Sequence, residues 1–269
     1  MSAPLILLHG WACSSAYWAP LARELGQAGR SVLAPDLPGY GGEALDPGAD
    51  WTVEKVAARL AADLGGTGPA HWIGHSLGGS VAATIAARQP ALAASVTLVG
   101  MVPLQPSAAT QSRLLRLFGG PGPAGPGAAE EIIAAWFRGG PEPAGADRET
   151  FLAPFRLPAA VVRASMLAGL TGAAADVPEL ISAATMVVTG SRDATRTPEA
   201  VAGFMARHPH WRHVQIPGAG HMVHWEQPAA CAAAILAHTA QAEPAQAGQQ
   251  GPGPATAGGP GGSPSAPPA

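Results

Sequence analysis

The chain has 269 residues, 47% of them apolar and only 12% charged, which is enough for one large or two small compact domains and argues against a disordered chain. Its formal net charge of −3 lacks the basic excess of a nucleic-acid binder. Two cysteines, Cys13 and Cys231, are too few for a disulfide framework or a structural zinc site, and the apolar runs are too short for a membrane span or a signal peptide, so the expectation is a soluble, cytoplasmic protein with no membrane or nucleic-acid partner.

In chain order, short apolar runs end at Gly, Pro or His. They are Leu5–Leu8, Ser31–Ala34, Ala70–Gly74, Ser95–Gly100, Thr185–Thr189 and Trp211–Ile216. Such runs fit buried parallel strands. Helices are predicted between them, at Ala16–Ala28, Val53–Leu64 (capped by Thr52), Leu77–Arg88, Pro198–Arg207 and Pro228–Ala240, the last two opening on a first-turn proline. The alternation predicts an α/β fold with a mostly parallel, doubly wound sheet, formed by residues 1–101 and 181–242. Residues 102–180 hold helical patches but no clear strand and are too long for a crossover, which predicts a helical cap over the strand ends. Within them, Gly119 to Gly127 reads as a flexible loop. Residues 243–269 carry seven Gly, seven Pro and one charge, and are expected to be disordered.

The strand Ala70–Gly74 runs directly into Gly74-His75-Ser76-Leu77-Gly78, followed by a small-residue helix. G-x-S-x-G between a strand and a helix is the context of a nucleophile elbow. The glycines let strand and helix approach, and the serine hydroxyl is lifted above the helix N-terminus, whose free N–H groups favour an oxyanion. A serine needs a base. His221, in the Gly-rich loop after the last strand, is the first candidate, and His224 the competitor. His75 reads as structural, and His208, His210 and His213 as surface polar residues. A base needs an orienting carboxylate. Asp193, just past the strand Thr185–Thr189, fits, whereas Asp36 precedes a turn and reads as a loop residue. The order Ser76, Asp193, His221 predicts a catalytic triad. The backbone N–H groups of Trp11, after His9-Gly10, and of Leu77 are the predicted oxyanion hole.

Together LLHGW, APDLPGYG, IGHSLGGSVA, VVTGSRD and GAGHMVHWEQP, in that order, resemble the α/β-hydrolase superfamily, in its small capped esterase form, from Leu5 to about Ala240 apart from the cap. HGW with DLPGYG is most similar to the esterases that remove the methyl group from pimeloyl-carrier protein in biotin synthesis. The resemblance implies a sheet of the α/β-hydrolase type; family members usually begin with an antiparallel hairpin before the HG strand, and this chain departs from them by starting at that strand, which leaves an exposed edge at which a dimer could form. It implies ester hydrolysis through an acyl-serine, with no metal and no organic cofactor. The partners it implies are a small or medium acyl ester and an acyl carrier protein, the protein itself being a monomer or dimer.

Trp11, Phe118, Trp136, Phe137 and Phe155 are candidates for the substrate site. The pairs Arg113/Arg116 and Arg156/Arg163 read as a solvated helix face. Two alternatives use the same residues: cleavage of a carbon–carbon bond or peracid formation by the same triad, and a ligand sensor without turnover.

Overall fold

A computed structural model describes residues 2–41 and 51–243. Six strands, β1 (Leu5–Leu8), β2 (Val32–Leu33), β3 (Ala70–His75), β4 (Ala93–Val99), β5 (Ala184–Gly190) and β6 (Arg212–Ile216), form one sheet in the order β2-β1-β3-β4-β5-β6. Each neighbouring pair is parallel. Parallel neighbours require crossovers, so helices cover both faces and the inner strands are apolar on both sides.

Strand β1 shows how the faces divide. Leu5 and Leu7 pack with Trp18, with Leu21 and Leu25 of α1 (Ala19–Gln27), and with Ile235 of α10 (Pro228–Ala242). Ile6 and Leu8 face the other way, towards Val56 and Leu60 of α2 (Val53–Leu64) and Val81 and Ile85 of α3 (Leu77–Arg88). All four β1 side chains are fully buried, and each such burial contributes about 2 kcal/mol. Beside them, Val96 and Leu98 of β4 and Val187 of β5 pack on Ala83 of α3 and Phe204 of α9 (Pro198–Arg207).

Helix starts follow local chemistry. The Thr52 hydroxyl accepts the Lys55 N–H at 3.2 Å, and Pro198 and Pro228 open their helices. The helix expected from Ala16 begins instead as a 3₁₀ turn, Ser15–Trp18, with α1 proper starting at Ala19. The reason is Pro20, which lacks the N–H that a helix interior needs and suits the first turn. At the sheet edge β2 has two residues, and so short an edge offers few main-chain groups to a second copy.

Between β4 and β5 the chain forms α4 (Ala108–Phe118), α5 (Ala128–Trp136), α6 (Gly145–Leu152), α7 (Ala159–Thr171) and α8 (Val177–Leu180). Helices α4 and α7 pack together, whereas α8 returns to pack against α3. Gly119 to Gly127 joins α4 to α5. Of the terminal segment 243–269, Glu243 alone is among the described residues, and its carboxylate accepts from Arg30 at 2.7 Å and His71 at 3.1 Å. The expectation of disorder for the rest lies outside the described residues. No single helix among the described residues is long and apolar enough to cross a membrane.

One surface reading is corrected. His208 is buried, not solvated: its ring stacks on Phe204 at 4.2 Å, Nδ1 donates to the Phe204 carbonyl at 2.9 Å, and Nε2 meets Glu179 at 3.1 Å. The imidazole caps the end of α9, where unpaired carbonyls seek donors. His210 and His213 are exposed.

Candidate active site

The turn from β3 into α3 is steric in origin. Ser76 takes φ 50°, ψ −113°, a conformation that costs a non-glycine residue energy and persists only where its surroundings impose it. Gly74 and Gly78 supply the imposition. A Cβ on Gly74 would lie 2.2 Å from the Gly78 carbonyl oxygen, and one on Gly78 2.2 Å from that of Leu8. The obstacles are main chain at the heart of the sheet and cannot swing aside. Gly78→Val is therefore expected to cost about 3 kcal/mol of stability, read as a lowered urea midpoint; an unchanged midpoint contradicts this packing account.

Above the turn lies a cavity of about 430 Å³. Ser76 and Leu77 line it from the turn, Trp11 from the loop after β1, and His221 from the loop after β6. Leu114 of α4, Trp136 of α5 and Met166 of α7 close it from the inserted helices.

His221 is held from several directions. Its Nδ1 lies 2.9 Å from Asp193 Oδ2. A carboxylate only accepts, so Nδ1 carries the proton and Nε2 is left bare. The main-chain N–H of His221 donates to the Trp136 carbonyl at 2.8 Å, and its carbonyl accepts from His75 Nε2 at 3.1 Å. Asp193 Oδ1 accepts from the Thr195 N–H at 2.8 Å and hydroxyl at 2.7 Å. Burial pushes the Asp193 carboxyl upward, but the adjacent His221 ring and these hydrogen bonds outweigh it and hold it below the usual carboxylate range. The carboxylate is thus ionised, oriented and nearly dry.

His75 and His224 lie beneath this arrangement. The His75 ring stands 4.7 Å from that of His221 and 4.5 Å from that of His224, which in turn packs on Trp18 at 4.3 Å. Burial, with further push from the neighbouring imidazoles, drives His75 well below its ordinary value and His224 down to about 3. Both rings are therefore neutral at physiological pH. His224 is absent from the cavity wall, and His75 touches it from below. Gly10 makes room for the His75 ring, since a Cβ there would meet its Nδ1 at 2.7 Å.

The loop after β1 is anchored to the inserted helices. The Trp11 indole donates to the Val162 carbonyl at 2.8 Å. The Ala12 N–H donates to the Tyr40 hydroxyl at 3.3 Å, which is 2.7 Å from Ser165 Oγ. Ala12 itself has φ 48°. Neither the Trp11 nor the Leu77 N–H has a protein partner among the described residues. Two free donors therefore flank the cavity near Ser76, where negative charge on an oxygen can be received.

Of the aromatic residues expected in a substrate site, Trp11 and Trp136 are on the cavity wall. Phe118 and Phe155 stand behind it, edge-on to the Trp11 ring at 5.0 and 5.6 Å. Phe137 is buried deeper, against Phe151 at 5.2 Å. These three brace the wall rather than form it. Asp36 serves its loop, accepting from the Ser15 N–H at 2.6 Å and hydroxyl at 3.1 Å. Arg116 pairs with Glu131 on the exposed surface and Arg156 with Glu149, but Arg113 lines the cavity. Sequence reasoning passed over Thr195, Tyr40, Ser165 and the main-chain tie from His75. Tyr40 and His75 lie in the quoted motifs, but the contacts they make are to Ser165 and to the His221 carbonyl, distant in sequence, while Thr195 and Ser165 stand in no motif. Among the described residues no group of three or more His, Cys, Asp or Glu is placed to hold a metal.

Residues 5–234 match the model of a family described as the alpha/beta hydrolase family. Among curated proteins, the chain is similar to the pimeloyl-[acyl-carrier protein] methyl ester esterases of Aeromonas salmonicida (37% identity over 99 residues, 37% of this chain and 38% of the relative) and Vibrio parahaemolyticus (38% over 99 residues, 37% of each). The alignment thus spans under two fifths of these relatives' length. Among solved structures, an esterase from Thermogutta terrifontis is 28% identical with a TM-score of 0.73, covering 90% of this chain and 91% of that one. A hydrolase from Oleispira antarctica, at 15% identity and a TM-score of 0.75, covers 89% and 92% and shares the fold.

Proposed function

Because this chain belongs to the alpha/beta hydrolase family, we propose that it is a serine esterase, cleaving carboxylic esters of small or medium acyl groups through an acyl-serine intermediate. The observation that carries the reading is the meeting, in one cavity, of a strained Ser76 and of His221, whose Nδ1 is bound to an ionised Asp193 at 2.9 Å.

In the proposed mechanism Ser76 Oγ attacks the ester carbonyl and passes its proton to His221 Nε2. Asp193 keeps the ring in the tautomer that leaves Nε2 free and stabilises the imidazolium. The carbonyl oxygen, now negative, is received by the N–H groups of Trp11 and Leu77, and losing either donor typically costs about 3–4 kcal/mol of transition-state stabilisation. The tetrahedral intermediate collapses, the carbon–oxygen bond to the alcohol breaks, and the imidazolium protonates the departing oxygen. Water, activated by His221, then attacks the acyl-serine and releases the acid. We further propose that residues 102–180 act as a cap that selects the acyl group, with Trp11 and Trp136 as its apolar contacts. The curated relatives' activity on a methyl ester of a carrier-bound acyl chain favours a similar ester here, with an acyl carrier protein as partner.

A panel of p-nitrophenyl esters graded from acetate to dodecanoate, with methyl pimeloyl-carrier protein included, tests this. Turnover that peaks at short or medium chains supports the esterase. Methanol release from the carrier-bound ester supports the narrower assignment, and absence of turnover across the whole panel removes both.

A further inference from the structure

Among the described residues two cations on the cavity wall form no ion pair with a carboxylate, and one of them is drawn partly out of water. Three arginines line the cavity, Arg113, Arg138 and Arg196, against one acid, Glu131. Glu131 is already engaged, by Arg116 at 2.6 Å and Arg113 at 3.5 Å. Arg138 is exposed. Arg196 is different: it is half-buried and rigidly oriented, its Nε and Nη2 both donating to the Leu104 carbonyl, at 3.0 and 2.7 Å. Only its Nε and Nη2 make hydrogen bonds among the described residues, and Nη1 makes none. The nearby Asp193 attracts the guanidinium without bonding to it, its oxygens accepting from His221 and Thr195 instead.

Burial pushes the Arg196 guanidinium down only to about 10, so it stays charged at neutral pH. The ionised Asp193 supplies a nearby negative charge, but the guanidinium is partly out of water and its Nη1 stays unbonded, and polar capacity left unmet there is costly. A guanidinium fixed in orientation on a cavity wall, with Nη1 unbonded, is matched to carboxylate or phosphate. The rest of the wall is largely apolar and suits the methylene chain between two polar ends.

We infer that the substrate is an ester bearing a second, anionic group, a carboxylate or a phosphate, which docks on Arg196 while the ester carbonyl lies over Ser76. This rests on the esterase reading and narrows its substrate class. A neutral ester of equal length leaves the guanidinium unpaired and is bound less well.

The test compares monomethyl adipate with methyl hexanoate, and methyl 5-phosphonopentanoate as the phosphate-like arm. The expected result is a preference of roughly 10- to 100-fold in kcat/KM for an anionic ester, the worth of one charge-assisted pair, carried by KM. Whichever anionic arm is favoured identifies carboxylate or phosphate as the natural group. In Arg196→Gln the ratio of anionic to neutral kcat/KM falls about tenfold or more, and Arg196→Lys restores part of it. Because Arg196 also clamps Leu104, the unaltered protein provides an independent measurement: adipate inhibits neutral-ester hydrolysis at least tenfold more strongly than hexanoate.

Equal turnover of neutral and anionic esters with equal inhibition by the two acids overturns the inference and leaves the esterase intact. So does an Arg196→Gln variant that loses both activities in proportion. If no ester is turned over, the esterase reading fails. Calorimetric titration of the full chain with adipate and inorganic phosphate then decides the anion site alone, saturable binding supporting it and no binding overturning it.

Discussion

Ser76→Ala is expected to reduce ester hydrolysis on the order of 10,000-fold or more in kcat, to the level set by the free N–H donors and binding alone. The hydroxyl provides the atom that bonds to the acyl carbon, and no neighbouring side chain on the turn can take its place. The fold should be indifferent to the change. The Ser76 side chain makes no capping bond to α3, and alanine meets the same backbone strain as serine. Circular dichroism and the urea midpoint are therefore expected to stay at their original values while p-nitrophenyl butyrate turnover vanishes. Turnover that survives in a correctly folded variant ends the acyl-serine account. Asp193→Asn provides a graded companion, with a loss of roughly 10,000-fold through the wrong His221 tautomer and the acyl-accepting oxygen still present.

The second large effect is on stability, as the fold is expected to fail in mild acid. His9, His75 and His224 are almost fully buried. Burial lowers His9 to about 4 and His224 to about 3, and drives His75 well below its ordinary 6.5. The sign follows from proton counts. Below pH 6.5 the unfolded chain takes up a proton on each ring and the folded one does not, so acid favours the unfolded state. Stability is complete above about pH 6.5 and is lost as pH falls towards the folded values. At pH 5 His9 and His224 each contribute about 2 kcal/mol of loss, about 4 kcal/mol together, and His75 acts in the same direction. That is a large share of the 5–15 kcal/mol typical of a whole domain.

Urea unfolding at pH 7 and pH 5 measures the difference directly, and equal midpoints contradict it. His224→Phe keeps an aromatic ring against Trp18 and His75 while removing one titrating group. It is expected to recover about 2 kcal/mol of the loss at pH 5. Asp193 works in a lower range. Its carboxyl is held below its ordinary 3.8, so its contribution is present above that value and lost only as pH falls further. The two limbs are separable for that reason.

The parallel sheet, its helices and the turn at Ser76 were legible in the residue string because each is governed by short-range physics. Buried strands need continuous apolar runs such as Leu5–Leu8, first-turn prolines mark helix starts, and G-x-S-x-G between strand and helix is a steric necessity contained in about ten residues. The order of Ser76, Asp193 and His221 could be read for the same reason, each standing just past a strand that announces itself. The inserted helices carry no such signal. Which aromatic side reaches the cavity depends on how α4, α5 and α7 pack against one another and on Trp11, so Trp136 stands on the wall while Phe118 and Phe155 support it from behind. His208 resembled a surface residue until α9 ended against Glu179. Arg196 is one loop arginine among several in the sequence, and its orientation is set only once the Leu104 carbonyl, 92 positions earlier, accepts from it. Side-chain identity and spacing specify what lies within a turn of the backbone; the environment of a charge is made by residues distant along the chain, and only folding brings them together.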